Sequence, residues 1–501
     1  MYILATVPHR HRALIALLAV AVSAMAAESP PAAPTLAFKA CRLEQPQGLA
    51  AVETECTRVI VPENRHNPDS RALALFVARL PALTRNKLPE PLFVLTGGPG
   101  LGASTFYPGV ASAFARIRRE RDIVLVDQRG TGRSSPLTCP IVEQQVWEST
   151  GDQTARVMHE CRERLEQDHD LSQYTTSVAV RDLDAVRRAL GYQRIALYGG
   201  SYGTRVAQQY ARRYPTHTLA LLLDGVVPPT RVLGPSTPLD AENALRLILA
   251  RCHADQQCQA RFGDPQVDYL GLRRKLAAGP VRLTVNDPVS GAPHELTFSS
   301  ALFAGALRLA SYSADQAALL PLSLHLAYHD GRFGPLATQY LLTTADYDAV
   351  LAYGMHNSVV CTEDVPFYAR EHIDRAALAD TFLGTSQLDA LQALCADWPT
   401  GPIDADLHSP MASQVPALLL SGGADPVTPP SFAAEAAKGF AHSQQIVLPG
   451  QGHGQLLQPC VDRLMAEFLD GAAHGAAHVD ASCLRELKPP PFFLTLSGPS
   501  P

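Results

Sequence analysis

A serine in the middle of the chain stands where it could act as a nucleophile. Ser201 is the central residue of a G-x-S-x-G motif at 199–203, with an apolar run before it and a helical pattern after it. This context predicts a sharp strand-to-helix turn that lifts the serine hydroxyl above a sheet, with glycines where side chains would collide. A chance glycine-rich turn is the alternative interpretation. A hydroxyl is a weak nucleophile, so it needs a base that a carboxylate orients.

Candidates for the acid and the base follow Ser201 along the chain. Asp425 comes just past one apolar run, and His453 comes just past the next. Both are therefore expected on loops at the same sheet edge as Ser201, in the serine, aspartate, histidine order that accompanies such a turn. Each residue taken alone could be an ordinary loop residue. The three together, in this order, favour a catalytic triad.

Acyl transfer also needs amide N–H groups that face the developing oxyanion. The Tyr202 amide is expected to supply one, and the Gly-Gly-Pro-Gly loop at 97–100 the other, through Gly98. A phosphate-binding loop is the competing interpretation, but no Gly-Lys-Ser/Thr follows the glycines. This chemistry requires neither a metal nor an organic cofactor.

The elements that must position these residues are short apolar runs that alternate with helical patterns. Continuous rather than alternating apolarity indicates burial on both faces, as in a parallel sheet with helices on both sides, and so predicts an α/β fold. The residues from 230 to 415 interrupt this rhythm with mostly helical patterns and one hairpin pattern at 281–298. The apolar runs lie at 92–96, 122–126, 194–198, 219–223, 417–420 and 445–448.

The chain divides into four predicted parts. Residues 1–26 resemble a signal peptide, with a basic start, an apolar run too short to cross a bilayer and an Ala-x-Ala site; an uncleaved anchor is the alternative. The core comprises 27–229 and 416–487, and it encloses a cap insertion at 230–415 that stands over the sheet edge. The first residues of the core, from residue 27 onward, are expected to add strands to the sheet. A proline-rich tail follows at 488–501.

Composition and cysteines agree with an exported, globular protein, either periplasmic or extracellular, without a stable membrane anchor. The 501 residues are 46% hydrophobic and 18% charged, and the formal net charge of −6 argues against nucleic-acid binding. Ten cysteines fall into five sequence-local couples, which suggests disulfides, although spacing alone does not prove the pairing. A zinc site at His474 and His478, between the last two cysteines, is the alternative. The suggested pairs are Cys41–Cys56, Cys139–Cys161, Cys252–Cys258, Cys361–Cys395 and Cys460–Cys483.

Several motifs make the chain resemble the α/β-hydrolase superfamily, and more narrowly its secreted tripeptidyl and prolyl aminopeptidases. The resemblance extends over nearly the whole chain after residue 26. Thr96 departs from it, because prolyl aminopeptidases usually carry histidine there, and this weakens any inference of proline preference. The shared motifs are GGPG at 97–100, DQRGTGRS at 127–134, GGSYGTR at 199–205, LDGVVPP at 223–229, SVVCTED at 358–364, GGADPVTP at 422–429 and GQGHG at 450–454.

The resemblance implies an α/β-hydrolase fold with a large, mainly helical cap, and release of short pieces from the free N-terminus of peptide substrates. Such an enzyme must bind a charged α-amine, and we expect Glu363 and Asp364 in the insertion to do so. A solvated acidic pair is the alternative interpretation of these two residues. Two rival functions remain open, an esterase with the same triad and a catalytically silent binding protein.

Overall fold

The structure, a computed structural model, describes residues 36–46, 48–139, 151–287 and 290–498. The predicted signal peptide lies outside the described residues. Ala37–Pro501 form one compact unit. No helix within the described ranges is long and apolar enough to cross a membrane.

A nine-stranded sheet forms the centre of this unit, in the order β1-β2-β3-β5-β4-β6-β7-β10-β11. The first three strands pair antiparallel at one edge, as expected for a segment that widens the sheet. All other neighbours pair parallel. The strands are β1 Lys39–Glu44, β2 Ala51–Pro62, β3 Ala72–Leu80, β4 Leu92–Leu95, β5 Ile123–Val126, β6 Ile195–Gly200, β7 Thr218–Asp224, β8 Val281–Asn286, β9 Pro293–Phe298, β10 Ala417–Gly422 and β11 Ser443–Leu448.

The central strands are buried on both faces, which explains their unbroken apolar sequences. Every residue of β4, β5 and β7 is buried, although successive side chains point to opposite faces. Both faces must therefore be covered, as a parallel sheet requires. The prediction of an α/β fold with a mostly parallel sheet is confirmed.

Helices follow most strands of the sheet and fill the long interval between β7 and β10. The α-helices are α1 Ala103–Val110, α2 Ala115–Arg118, α3 Gly151–Glu166, α4 Thr176–Ala189, α5 Tyr202–Arg213, α6 Thr237–Ala254, α7 Gln256–Phe262, α8 Pro265–Ala278, α9 Ser300–Ser311, α10 Ala314–Ala317, α11 Leu320–His329, α12 Gly334–Asp348, α13 Tyr353–Glu363, α14 Arg375–Ala379, α15 Ser386–Cys395, α16 Pro430–Ala437 and α17 Val461–Ala473.

The segment between β7 and β10 has an apolar core of its own. Leu245 of α6, Leu272 of α8, Leu307 of α9 and Leu324 of α11 belong to one buried cluster, separate from the cluster under the sheet. The hairpin expected at 281–298 is present, as β8 and β9 pair antiparallel. The domain boundaries proposed from the sequence, at 230 and 415 among others, stay a prediction.

The tail crosses from the core to this segment. The Phe493 amide donates to the Ala318 carbonyl oxygen at 3.1 Å, and Phe492 is buried in the apolar cluster of the insertion. Arg251 Nη1 donates to the Pro490 carbonyl oxygen at 2.9 Å. The tail is therefore attached to the insertion through residues 490–494.

Five disulfides join the cysteines in the pairs that their spacing suggested, and this prediction is confirmed. Because Cys460 is bonded to Cys483, neither offers a thiolate to a zinc ion with His474 or His478. Disulfides persist in oxidising compartments. The pairing is therefore consistent with an exported protein.

The turn after β5 is held by buried charged groups. Asp127 accepts hydrogen bonds from the Ser104 amide, the Ser104 hydroxyl and the Arg133 amide, at 2.7–2.8 Å. Arg129 makes two bonds to the Asp182 carboxylate, at 2.6 and 2.9 Å. This turn has a structural role, since both side chains have internal partners and no exposed surface.

Candidate active site

Ser201 occupies a strained turn between β6 and α5. Its backbone lies at φ 53° and ψ −122°, a conformation that side chains rarely adopt. The glycines on either side are required by close approaches. A Cβ at Gly199 would lie 2.4 Å from the Gly203 carbonyl oxygen, and one at Gly203 would lie 2.7 Å from the Leu95 carbonyl oxygen. The turn has the geometry that the G-x-S-x-G motif predicts.

Asp425 and His453 meet at the carboxyl ends of β10 and β11. The His453 Nδ1 atom lies 2.8 Å from Asp425 Oδ2. The other oxygen, Asp425 Oδ1, accepts hydrogen bonds from the Val427 and Thr428 amides at 2.8 and 2.9 Å. The carboxylate is therefore fixed by its own loop, and it can orient the imidazole so that Nε2 is available as a base.

The two partners shift each other's pKa in opposite directions. Burial alone would raise the pKa of Asp425, but attraction to His453 and hydrogen bonds from its loop lower that pKa below its usual range. Burial alone would lower the pKa of His453, but the Asp425 carboxylate raises it above its usual range. The ionised carboxylate therefore stabilises the imidazolium that forms when Ser201 is deprotonated.

Thr428 is a third member of this contact, and the sequence analysis did not find it. Its hydroxyl donates to Asp425 Oδ2 at 2.7 Å and lies 3.1 Å from His453 Nδ1. It is completely buried. The sequence Asp-Pro-Val-Thr could have indicated this contact, because a hydroxyl three residues after an aspartate can donate a hydrogen bond to its carboxylate.

Ser201 and His453 line one cavity of about 650 Å³. His453 lies against the turn after β7, where a Cβ at Gly225 would be 2.9 Å from His453 Cε1. Within the described residues no hydrogen bond joins the Ser201 hydroxyl to the imidazole. Such bonds are often long before substrate binds, so this geometry is compatible with a nucleophile and its base.

The glycine loop after β4 lies directly against the nucleophile. A Cβ at Gly97 would be 2.8 Å from Ser201 Cβ. Gly98, at φ 105°, lines the same cavity. In the described part of the chain, no hydrogen bond uses the amide N–H of Gly98 or Tyr202. Both donors are therefore available to an oxyanion on a substrate attached to Ser201.

Backbone hydrogen bonds connect the insertion to two loops of the site, the histidine loop and the glycine loop. The His453 amide donates to the Tyr312 carbonyl oxygen at 2.7 Å, and the Tyr312 ring packs edge-on against the imidazole at 5.4 Å between centroids. The Ala352 amide donates to the Gly100 carbonyl oxygen at 3.0 Å. Both the histidine loop and the glycine loop are thus bonded to backbone of the insertion.

A second carboxylate, Asp224 at the end of β7, also lines the cavity. It accepts the Gln455 amide at 2.8 and 2.9 Å and the Tyr198 hydroxyl at 3.1 Å. Burial raises the pKa of Asp224 to about 6. Its described hydrogen bonds go to these two groups and not to the imidazole, so Asp425 is the carboxylate that orients His453.

Glu363 and Asp364 are not among the described residues that line the cavity, although Asp364 Oδ1 accepts the amide of Leu233, which does line it, at 2.8 Å. Both side chains have no exposed surface. Asp364 accepts two bonds from Arg205, at 2.8 and 3.1 Å, and Glu363 accepts the Thr176 amide and hydroxyl at 2.5 and 2.7 Å. Neither expected environment is found, since the pair faces neither a substrate pocket nor solvent.

These carboxylates instead belong to a buried network under the nucleophile helix. The Thr176 hydroxyl that bonds Glu363 also lies 2.7 Å from the Tyr202 hydroxyl. Burial raises the pKa of Glu363 to about 7 despite the nearby guanidinium. This arrangement could not be predicted from the sequence, because the partner Arg205 lies far away along the chain.

We expect the reaction of Ser201 with a fluorophosphonate to accelerate with pH through one ionisation. His453 must be neutral to accept the serine proton, and Asp425 raises the pKa of His453, so the midpoint should lie above about 6.5, the ordinary histidine value. Second-order labelling rates from about pH 5 to 9 would measure it. A flat profile, with the Ser201→Ala variant unlabelled, would contradict the assignment.

Loss of the Thr428 hydroxyl should slow the same reaction. A hydrogen bond to a charged group contributes about 1.5–3 kcal/mol, so Thr428→Val is expected to reduce the labelling rate about 10- to 100-fold. Thr428→Ser keeps the hydroxyl and should restore most of the rate. Equal rates for the valine and serine variants would mean that Thr428 acts through packing alone.

Several known proteins are similar to this chain. The serine protease Hip1 of Mycobacterium tuberculosis is 26% identical over 475 residues, which cover 86% of this chain and 88% of that protein. The tripeptidyl aminopeptidase of Streptomyces lividans is 30% identical over 196 residues, covering 35% of this chain and 36% of that protein. The crystal structure of a proline iminopeptidase from Mycobacterium smegmatis matches with a TM-score of 0.41 and 18% identity, over 84% of this chain and 99% of that chain.

The model of the alpha/beta hydrolase fold family matches residues 90–459, well over half of the chain. The match includes the Ser201 turn, the insertion, and the loops of Asp425 and His453. The nine-stranded sheet and the strand-turn-helix geometry at Ser201 agree with it. This chain therefore belongs to the α/β-hydrolase fold family.

Proposed function

We propose that this protein is an exported serine exopeptidase that releases short peptides or single residues from the free N-terminus of peptides. The observation that carries the proposal is the hydrogen-bonded pair of His453 and Asp425 in the cavity that contains Ser201. The Hip1 protease and the tripeptidyl aminopeptidase named above favour peptides as substrates. The five disulfides favour export to an oxidising compartment.

In this mechanism Ser201 attacks the scissile carbonyl carbon while His453 accepts its proton. Asp425 stabilises the resulting imidazolium, and Thr428 holds Asp425 in position. The amides of Gly98 and Tyr202 donate to the oxyanion of the tetrahedral intermediate. The geometry demands no cofactor for any of these steps.

The second half of the reaction reverses these proton movements. His453 donates its proton to the leaving amine, which departs as the shortened peptide. Water then attacks the acyl-enzyme on Ser201 with His453 again acting as base, and the released acyl portion is the N-terminal fragment. As the bond between the acyl carbon and Ser201 Oγ breaks, the proton that His453 took from water passes to Ser201 Oγ and regenerates the free enzyme.

The cavity has a size suited to the end of a peptide. Its volume of about 650 Å³ lies within the range of roughly 300–1,000 Å³ that small-ligand pockets occupy. Residues of the insertion, including His356, Val360 and Tyr347, line it together with Ser201. A cavity walled by the insertion favours a chain terminus over an internal segment of a folded protein.

Carboxylates that line this cavity are candidates for binding the α-ammonium group. Asp315 and Asp346 both belong to its lining and are exposed, unlike Glu363 and Asp364. A charge-assisted hydrogen bond from the ammonium to either carboxylate would hold the N-terminus at a fixed distance from Ser201. We therefore assign the amine-binding role first to Asp315 and Asp346, and retain the buried pair as the competing prediction.

Four chromogenic substrates test the proposed activity. We expect a tripeptidyl anilide with a free amine to be hydrolysed with a kcat/KM about 10- to 100-fold above that of its N-acetyl form, because acetylation removes the charged contact. A single aminoacyl anilide and a short acyl ester complete the set. Ser201→Ala should lose on the order of a million-fold in kcat on all of them.

The pattern of turnover separates the rival functions. Hydrolysis of the ester alone would identify an esterase, and equal rates for the free and acetylated peptides would exclude recognition of the N-terminus. No turnover at all, in protein whose Ser201 still reacts with a fluorophosphonate, would contradict the proposed substrate class.

The buried and the exposed carboxylates are distinguished by a second comparison. Removing one partner of a buried ion pair costs about 3–5 kcal/mol, so Asp364→Asn should lower the Tm and reduce all substrates alike. Asp315→Asn should leave the Tm unchanged and reduce only the free-amine peptides. A selective loss in Asp364→Asn at unchanged Tm, or in Glu363→Gln, would instead support the prediction made from the sequence.

A further inference from the structure

Two helices of the insertion bring an aspartate and two histidines together, far along the chain from Ser201. Asp268 lies in the first turn of α8, and His325 and His329 lie one turn apart on α11. None of the three is among the described residues that line the catalytic cavity. The mechanism proposed above uses none of them.

The donor atoms of these side chains converge on one point. Asp268 Oδ2 lies 3.2 Å from His325 Nδ1, and Asp268 Oδ1 lies 2.9 Å from His329 Nε2. All three ligating atoms lie within 4.8 Å of one another. Bonds of about 2.0–2.2 Å from a central ion to two imidazole nitrogens and a carboxylate oxygen would fit this spacing after small side-chain movements.

The buried negative charge of Asp268 favours binding of a cation. The Asp268 side chain is only 3% exposed, and its described hydrogen bonds and ion pairs go to the two imidazoles alone. No arginine, lysine or backbone amide in the described residues compensates this carboxylate. Burying a carboxylate is costly unless a positive group accompanies it, and a dication would supply that charge whatever the protonation of the rings.

The helices that carry the donors are held at a fixed separation. Gly271, one turn after Asp268, lies so close to α11 that a Cβ there would be 2.3 Å from Tyr328 Cε2. Leu272 of α8 and Leu324 of α11 share the buried core of the insertion. The Phe262 ring packs on the His325 ring at 5.2 Å. Such packing limits side-chain and backbone movement around the cluster, as preorganised metal sites require.

The donor set and its exposure select the type of ion. Two imidazoles on one helix face and one carboxylate suit Zn²⁺, which takes nitrogen and oxygen ligands in tetrahedral geometry. The His329 side chain is 49% exposed, whereas His325 is 21% exposed. One side of the cluster therefore faces water, which provides an entry path and a fourth ligand.

We propose that Asp268, His325 and His329 form a Zn²⁺ site that joins α8 to α11 and stabilises the insertion. The ion would be structural, with a water molecule as its fourth ligand, because the three side chains lie outside the catalytic cavity. This inference does not depend on the proposed peptidase activity, since it concerns other residues and a different measurement.

Titration of the full chain with Zn²⁺ after removal of metals by a chelator tests the site. Isothermal calorimetry should give one Zn²⁺ per chain, and Co²⁺ in its place should give the visible absorption of a tetrahedral ion. His329→Ala and His325→Ala should weaken the affinity at least about 100-fold, because each removes a direct ligand. The Tm of the wild-type chain should rise with Zn²⁺, since the ion binds the folded state.

His253→Ala is the matched control, because His253 is an exposed histidine of the same insertion and lies on α6. It should bind Zn²⁺ as the wild-type chain does. Asp268→Asn adds a third test, and His329→Ala remains informative if that variant fails to fold, since His329 is half exposed. Absence of stoichiometric binding, or wild-type affinity in both α11 variants, would overturn the proposal. The rate of Ser201 labelling should be the same with and without Zn²⁺.

Discussion

Backbone contact between α5 and the strand beside it is the constraint on which the site depends. The carbonyl oxygens of Leu95 and Thr96 would lie 2.7 and 2.8 Å from a Cβ at Gly203, so only glycine allows the helix to start there. Ser201, two residues before Gly203, lies at φ 53° and ψ −122°, and a Cβ at Gly97 would be 2.8 Å from Ser201 Cβ. The nucleophile and one oxyanion donor are therefore fixed relative to each other by main chain.

The sequence revealed those features that arise from local chemistry. The turn at Ser201 needs glycines at set positions, buried parallel strands need unbroken apolar runs, and both requirements can be read over a few residues. Asp425 and His453 were found for the same reason, since each directly follows such a strand. The disulfides were found because each joins cysteines that are near in sequence, as with Cys252 and Cys258.

Features that depend on distant partners could not be found in this way. Nothing beside Glu363 and Asp364 shows that Arg205 and Thr176 surround them. The pair was predicted to bind substrate because the family resemblance implies an amine-binding site, for which acidic residues of the insertion are candidates. The His-x-x-x-His spacing at 325–329 is visible in the sequence. The spacing alone does not indicate a metal site, because the third ligand, Asp268, comes from another helix. Thr428 is intermediate, because its spacing from Asp425 was visible while its contact with His453 was not.

The bond from the His453 amide to the Tyr312 carbonyl oxygen has a consequence for how this architecture could change through evolution. Recombination that exchanged the whole segment between β7 and β10 would remove an acceptor that holds the general base. A main-chain acceptor does not require a particular side chain, so substitutions can alter the walls of the cavity and leave this bond intact. Specificity can therefore diverge by point mutation much more readily than by replacement of the insertion. The insertion and the histidine loop are therefore expected to be inherited together, since this bond joins them.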